Sequence, residues 1–232
     1  MKCGVCGGGS FSFRKVLWKE LINDWQLSAA EAAYVNRQQG EKCNSCGSNL
    51  RSIALGNAIR SALHTEAPLI HAAELEQAKD ISILEINEAG TLTPVLQRFG
   101  KYVFGAYPEV DIHAMPYADE SFDIVVHSDT LEHVQNPAHA LGECRRVLKP
   151  GGALCFTVPV IVGRLTRSRQ GLKHSYHGAS STASPDFAVQ SEFGADAWTF
   201  LMEAGFDNVQ IFTVEYPVAT AFLARKDLTR GQ

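Results

Sequence analysis

The chain has 232 residues, 45% of them hydrophobic and 20% charged, with a formal net charge of -4 at pH 7. This excludes a disordered tail, which lacks the apolar surface to offset its own ordering entropy, and 19 Gly with 9 Pro exclude a collagen-like repeat. No run approaches the roughly 18 apolar residues of a membrane span, and MKCGVCGGGS has neither the basic head nor the apolar stretch of a secretory leader, so a cytoplasmic globular protein without a membrane partner is expected.

The first elements in the chain are two C-x-x-C pairs, Cys3 with Cys6 and Cys43 with Cys46, each followed by Gly and separated by 36 residues. Two thiolates on a tight turn can face one ion, and two such turns complete a tetrahedral all-thiolate shell. The expected metal is zinc in a structural role, since four thiolates leave no open coordination position; an iron centre of the rubredoxin type shares the donor set, and paired disulfides share the spacing. Between the pairs, Val16, Leu17, Leu21 and Ile22 recur at helical spacing, and Ser28 with Glu31 forms a capping box that opens AAEAAYVNRQQG. NLRSIALGNAIRSALH then gives an amphipathic helix. Residues 1–65 are thus expected to form a metal-held helical module, with 66–80 as a connecting segment and 81–232 as a second domain. Residues 1–60 carry a balance of +4 and the remainder -8, but no dense basic stripe signals a nucleic-acid partner.

From residue 81 the pattern changes to strands alternating with helices. Apolar runs at 81–86, 102–105, 122–126 and 153–159 read as strands of a mostly parallel sheet covered on both faces. A helix is expected from Asn136 and Pro137, an N-cap followed by proline in the first turn, to the KPGG stop. A second is expected over 194–204, followed by two final strands in NVQIFTVE and VATAFLARK. Cys144 and Cys155 fall at core positions.

The segment MPYADESFDIVVHSDTLEHVQNPAHALGECRRVLKPGGALCFTVP resembles the central block of class I S-adenosylmethionine-dependent methyltransferases of the type 11 group, and FGADAWTFLMEAGFDNVQIF resembles their late helix and strand. The likeness runs from Ile81 to Lys226. It implies a Rossmann-like, doubly wound α/β fold in compact form, S-adenosylmethionine as cofactor, and methyl transfer to a small-molecule acceptor. Where the family carries E-x-G-x-G-x-G after its first strand, this chain has Glu85-Ile86-Asn87-Glu88-Ala89-Gly90-Thr91. The resemblance implies cofactor contacts from Glu85, Asn87 and Gly90, and an adenine contact from Asp111 with Ile112 beside the ring. The altered loop and the four-cysteine module, which could present a polymer, each leave a further reading open. One is a methyltransferase-like scaffold or partner-binding protein without cofactor; the other is an enzyme acting on RNA or protein.

Independently of that resemblance, open sheets of this kind bind ligands beyond their strand carboxyl ends, which puts His127 and Ser128, at the end of the third strand, among the candidate cofactor-binding residues. The long stretch between Pro159 and Phe193 is expected to form a lid over the acceptor. Its His174, Tyr176 and His177 are the candidate general bases, and Arg164, Arg167 and Arg169 could meet an anionic acceptor.

Overall fold

The computed structural model describes residues 1–176 and 185–228. His177, one of the three expected catalytic side chains, lies outside the described residues.

The first cysteine turn leads into β1 (Phe11–Phe13), α1 (Lys19–Asp24), α2 (Ala29–Gly40) and β2 (Glu41–Cys43). β1 and β2 pair antiparallel, with Phe11 opposite Cys43. α1 starts later than its apolar spacing suggests. The backbone N–H groups of Val16 and Leu17 donate to the Asn36 side chain at 3.0 and 2.8 Å and so are held outside the helix. α2 opens with the expected capping box: Ser28 Oγ accepts from the Glu31 N–H, and the Glu31 carboxylate accepts from the Ser28 N–H. The second cysteine turn feeds α3 (Leu50–Ala62), capped by Asn49, and then the short α4 (Leu69–Ala72).

The remaining elements are β3 (Ser82–Ile86), α5 (Thr93–Leu96), β4 (Lys101–Gly105), β5 (Phe122–Ser128), α6 (Pro137–Val147), β6 (Leu148–Thr157), β7 (Val160–Ile161), β8 (Arg167–Ser168), β9 (Ser191–Gly194), α7 (Thr199–Glu203), β10 (Asn208–Val214) and β11 (Ala219–Arg225). Six strands form one sheet in the order β10-β11-β6-β5-β3-β4. β4, β3, β5 and β6 are parallel, while β11 and β10 complete the sheet as an antiparallel hairpin. No strand or helix lies between Gly105 and Phe122, which leaves β4 as the edge.

Alternate residues of the central strands enter opposite cores, as a sheet buried on both faces requires. Ile83, Ile124, Val126 and Cys155 join Leu50, Ile53, Ala54 and Ile59 of α3 on one side. Leu84, Val125, Leu154 and Phe156 join Ala140, Leu141, Cys144 and Val147 of α6 on the other. α3 is buried nearly all round, because its far side packs on the cysteine turns: Cys3, Val5 and Cys43 belong to the same core as the sheet. Gly56 permits that approach, since a Cβ there would come 2.9 Å from Val5 Cγ2.

Two expectations change. The stretch expected as a lid folds in part into a small sheet of order β7-β9-β8. The helix expected from Gly194 is only α7, because Phe193 and Gly194 pair with Val160 and Ile161, and Asp196 accepts hydrogen bonds from Thr166 N and Oγ1.

Candidate functional site

The four paired cysteines converge, their Sγ atoms all lying within 4.8 Å of one another, and none is in a disulfide. Gly7 and Gly47, after the two pairs, adopt φ of 80° and 75°, where a side chain would be strained. These turns are closed by hydrogen bonds from Gly7 N to the Cys3 carbonyl and from Gly47 N to the Cys43 carbonyl. Cys3 Sγ lies 3.7 Å from Cys46 Sγ, and Cys6 Sγ lies 3.7 Å from Cys43 Sγ. Burial opposes ionisation at Cys43, but backbone N–H groups of Cys46 and Ser45 outweigh it and lower this thiol to about 7.

The cluster abuts the loop after β3. Cys46 Sγ lies 3.3 Å from Ser48 Oγ, which in turn accepts a hydrogen bond from Thr91 Oγ1 at 3.0 Å. In this loop Glu85 is fully buried, and both its oxygens are engaged. Oε1 accepts from Ala89 N and Thr93 Oγ1 at 2.6 and 2.5 Å, and Oε2 accepts from the Tyr102 hydroxyl at 2.6 Å. Glu85 therefore organises the loop from within. Asn87, at φ 55°, ties three strand ends together: its N–H donates to the Gly105 carbonyl, its Oδ1 accepts from Tyr107 N, and its Nδ2 donates to Thr130 Oγ1. Gly90, at φ 60°, faces open space, with no atom within 4 Å of where a Cβ would stand.

Asp111 is half exposed and accepts from the backbone and ring of His113; these hydrogen bonds, the backbone one foremost, hold its carboxyl below the usual range. Its neighbour Ile112 is buried in the core that α6 covers. His127 is fully buried and stacks on Phe156 at 4.8 Å, with no hydrogen-bond partner for either ring nitrogen among the described residues. Burial pushes its pKa down to about 3, against the attraction of the Glu132 carboxylate, so the ring is neutral. Ser128 shares a hydrogen bond with Thr157 at 2.9 Å. One residue on, Asp129 turns at φ 51° and forms an ion pair with Arg51 of α3. Sequence reasoning missed this pair. Arg51 reads as one cation on an amphipathic helix, and only the packed fold brings it to a residue 78 positions away.

In the described part of the segment between Pro159 and Phe193, residues 160–176 are tied down by three arginines. Arg164 reaches the Glu31 carboxylate and the carbonyls of Trp25 and Gln26, while Arg167 and Arg169 both pair with Glu192. All three guanidiniums are thus engaged within the fold. His174 is exposed and stacks near Tyr176, which bridges to Ala188. Between them, Ser175 Oγ accepts a 2.7 Å hydrogen bond from the Trp25 indole, and Ser175 O accepts from Val189 N. The neighbouring Gln190 N donates to the Glu132 carbonyl, which links this segment to the turn after β5.

A mostly parallel sheet with an antiparallel hairpin at one edge, helices on both faces and polar turns gathered at the carboxyl ends of β3 and β5 makes a doubly wound α/β fold, consistent with that of class I methyltransferases. Residues 75–156, which span β3 to nearly the end of β6, match the model of a methyltransferase domain of the type 11 group.

Over 70 residues the chain is 39% identical to an uncharacterized methyltransferase of Mycobacterium tuberculosis, covering 30% of this chain and 28% of that one. It is 34% identical over 79 residues to an uncharacterized methyltransferase of Mycobacterium marinum, covering 34% and 31%. The chain therefore spans less than a third of the length of these curated relatives. Similar solved structures include the DszA carbon methyltransferase, at 18% identity over 77% of this chain and 54% of that one with a TM-score of 0.46. The CurJ carbon methyltransferase is 15% identical over 90% of this chain and 70% of that one, with a TM-score of 0.45. Among the described residues, no helix is long and apolar enough to cross a membrane.

Proposed function

We propose that the chain transfers a methyl group from S-adenosylmethionine to a small or medium-sized metabolite and holds a structural zinc ion on Cys3, Cys6, Cys43 and Cys46. The observation that carries the first part is positional. The methyltransferase match covers the parallel strands whose carboxyl ends bring Asn87, Gly90, Ser128 and Asp129 to one edge of the sheet. S-adenosylmethionine supplies an electrophilic methyl group on a sulfonium. This edge offers it an open cradle at Gly90, a half-exposed carboxylate at Asp111 for an adenine amino group, and hydroxyls at Ser128 and Thr130. Glu85 serves by holding the loop, His127 by packing on Phe156 in the sheet, and Ile112 by anchoring the chain next to Asp111 in the core that α6 covers. A nucleophile that carries a proton needs a nearby group to accept it. His174, Tyr176 and His177 belong to this reading as candidates from the neighbouring segment, alongside Asp129 at the strand end.

For zinc, the donor set itself is the support. With Zn–S bonds of about 2.3 Å, a tetrahedron has S···S edges of roughly 3.8 Å, and two observed separations are 3.7 Å. Titration calorimetry with S-adenosylmethionine and with its demethylated product, on folded metal-loaded protein, tests the cofactor reading: heat with either is expected, and none with both sinks it. One observation favours a second reading, a scaffold that does not bind cofactor. The Asn87 side chain occupies the space between Tyr107 and Thr130, at a position where the family carries glycine. Asn87→Gly separates the two, because it would restore cofactor binding to a scaffold and would loosen the loop of an enzyme.

A further inference from the structure

A cavity of about 150 Å³ lies between the N-terminal helices and the end of the sheet, beside Asp129. Its walls are apolar: Leu17, Trp18, Leu21 and Trp25 close one side, and Val160 and Ile161 close the other. Among the described residues, Gln39 and Asp129 are the lining side chains that offer a hydrogen-bond acceptor. The cavity is fixed from several directions. The Trp25 indole is bonded to Ser175, Arg164 ties the Trp25 and Gln26 carbonyls to the β7–β8 connection, and Asp129 is held by Arg51. An apolar protein cavity of this volume suffices for a benzene-sized molecule.

The lining chemistry narrows the occupant. Asp129 is already matched by Arg51, and among the described residues no other charged side chain lines the walls, so a carboxylate or phosphate would be buried without a counter-charge. An ammonium group would likewise find the Asp129 carboxylate already paired. A neutral hydroxyl avoids both costs, since it donates to a carboxylate and needs no counter-charge.

We propose that this cavity is the methyl-acceptor site and that it takes an uncharged, ring-sized apolar molecule with one hydroxyl directed at Asp129. The assignment of the occupant as acceptor rests on the methyl-transfer reading; the binding chemistry does not. In transfer, the hydroxyl oxygen forms the new bond to the methyl carbon as the carbon–sulfur bond of the sulfonium donor breaks. The sulfur keeps the bonding pair, and the hydroxyl proton passes to the Asp129 carboxylate and on to water. Trp18, Trp25 and Val35 then determine specificity by setting the size of ring admitted.

Ligand-observed NMR and calorimetry with p-cresol, toluene and 4-methylbenzoate on the metal-loaded full chain test this. The expected result is saturable binding of p-cresol, weaker binding of toluene, and none of 4-methylbenzoate. Val35→Phe, which fills the cavity from a half-buried position on α2, should weaken p-cresol by about tenfold or more and leave S-adenosylmethionine binding unchanged; Leu17→Trp gives the same reading should Val35→Phe misfold. Absence of p-cresol binding, or equal affinity in the filled variants, overturns the site. 4-Methylbenzoate bound as tightly as p-cresol overturns the hydroxyl class. Binding of p-cresol without any of S-adenosylmethionine keeps the site and removes the methyl-transfer reading, while the reverse keeps that reading and removes the site.

Discussion

The cysteine cluster and the carboxyl edge of the sheet are assembled from opposite kinds of information. The cluster takes four cysteines from two short turns, each closed by its own backbone hydrogen bond and a left-handed glycine, so its donor set is complete in local sequence. The edge takes single residues from β3, β4, β5 and α3 and holds them through side chains such as Asn87 and Arg51 that reach across the fold. A cluster of the first kind can be read residue by residue, whereas an edge of the second kind emerges only from packing. The two regions nevertheless meet in one core, because α3 lies against the cysteine turns with one side and against β6, β10 and β11 with the other.

The largest expected effect tests whether the cluster supports that common core. Cys43→Ser should lose the metal, as read by elemental analysis, and destabilise the whole chain by about 4 kcal/mol or more in thermal unfolding. Unchanged metal content would remove zinc from the account. Next in size, Ile59→Ala on α3 and Leu141→Ala on α6 empty comparable, fully buried positions on opposite faces of the sheet. Each should cost about 2–5 kcal/mol in a single cooperative transition. If Ile59→Ala instead splits the transition in two, the N-terminal segment is an independent module.

At the edge the effects are smaller. Asp111→Ala should weaken S-adenosylmethionine about tenfold, ~1.4 kcal/mol, without altering the far-UV spectrum; unaltered affinity takes Asp111 out of the site. The smallest concerns the joint between α2 and the segment after β7. Hydrogen bonding to Arg164 lowers the Glu31 carboxyl from 4.5 to about 2. A depressed carboxyl contributes stability above its unfolded pKa and loses it as pH falls through the folded one. The contact should therefore weaken between about pH 4.5 and 2, visible as a shift in tryptophan emission that Glu31→Gln abolishes.

Much of the frame was legible because it rests on local rules. The strand runs, the Asn136 cap with Pro137 behind it, the Ser28–Glu31 box and the cysteine turns all appear where spacing places them. Three features were not legible, each because a distant partner decides it. Arg164, Arg167 and Arg169 read as a basic surface until Glu31 and Glu192 arrive from elsewhere in the chain. Strands of two residues, such as β7 and β8, carry no periodicity of their own. Glu85 and His127 stand at strand ends that suggest ligand contact, yet hydrogen bonding and burial turn both inward.

The hydrogen bond between Ser48 and Thr91 carries one further consequence. It joins the turn that presents Cys46 to the loop that carries Gly90, so an ion on the cysteines and a molecule at Gly90 would be linked through a single side-chain hydrogen bond. Thermodynamic coupling is reciprocal. If metal loading tightens S-adenosylmethionine, then S-adenosylmethionine must raise the equilibrium affinity for the metal, measured in competition with a chelator, by the same factor, and Ser48→Ala should uncouple the two without removing any of the four cysteines.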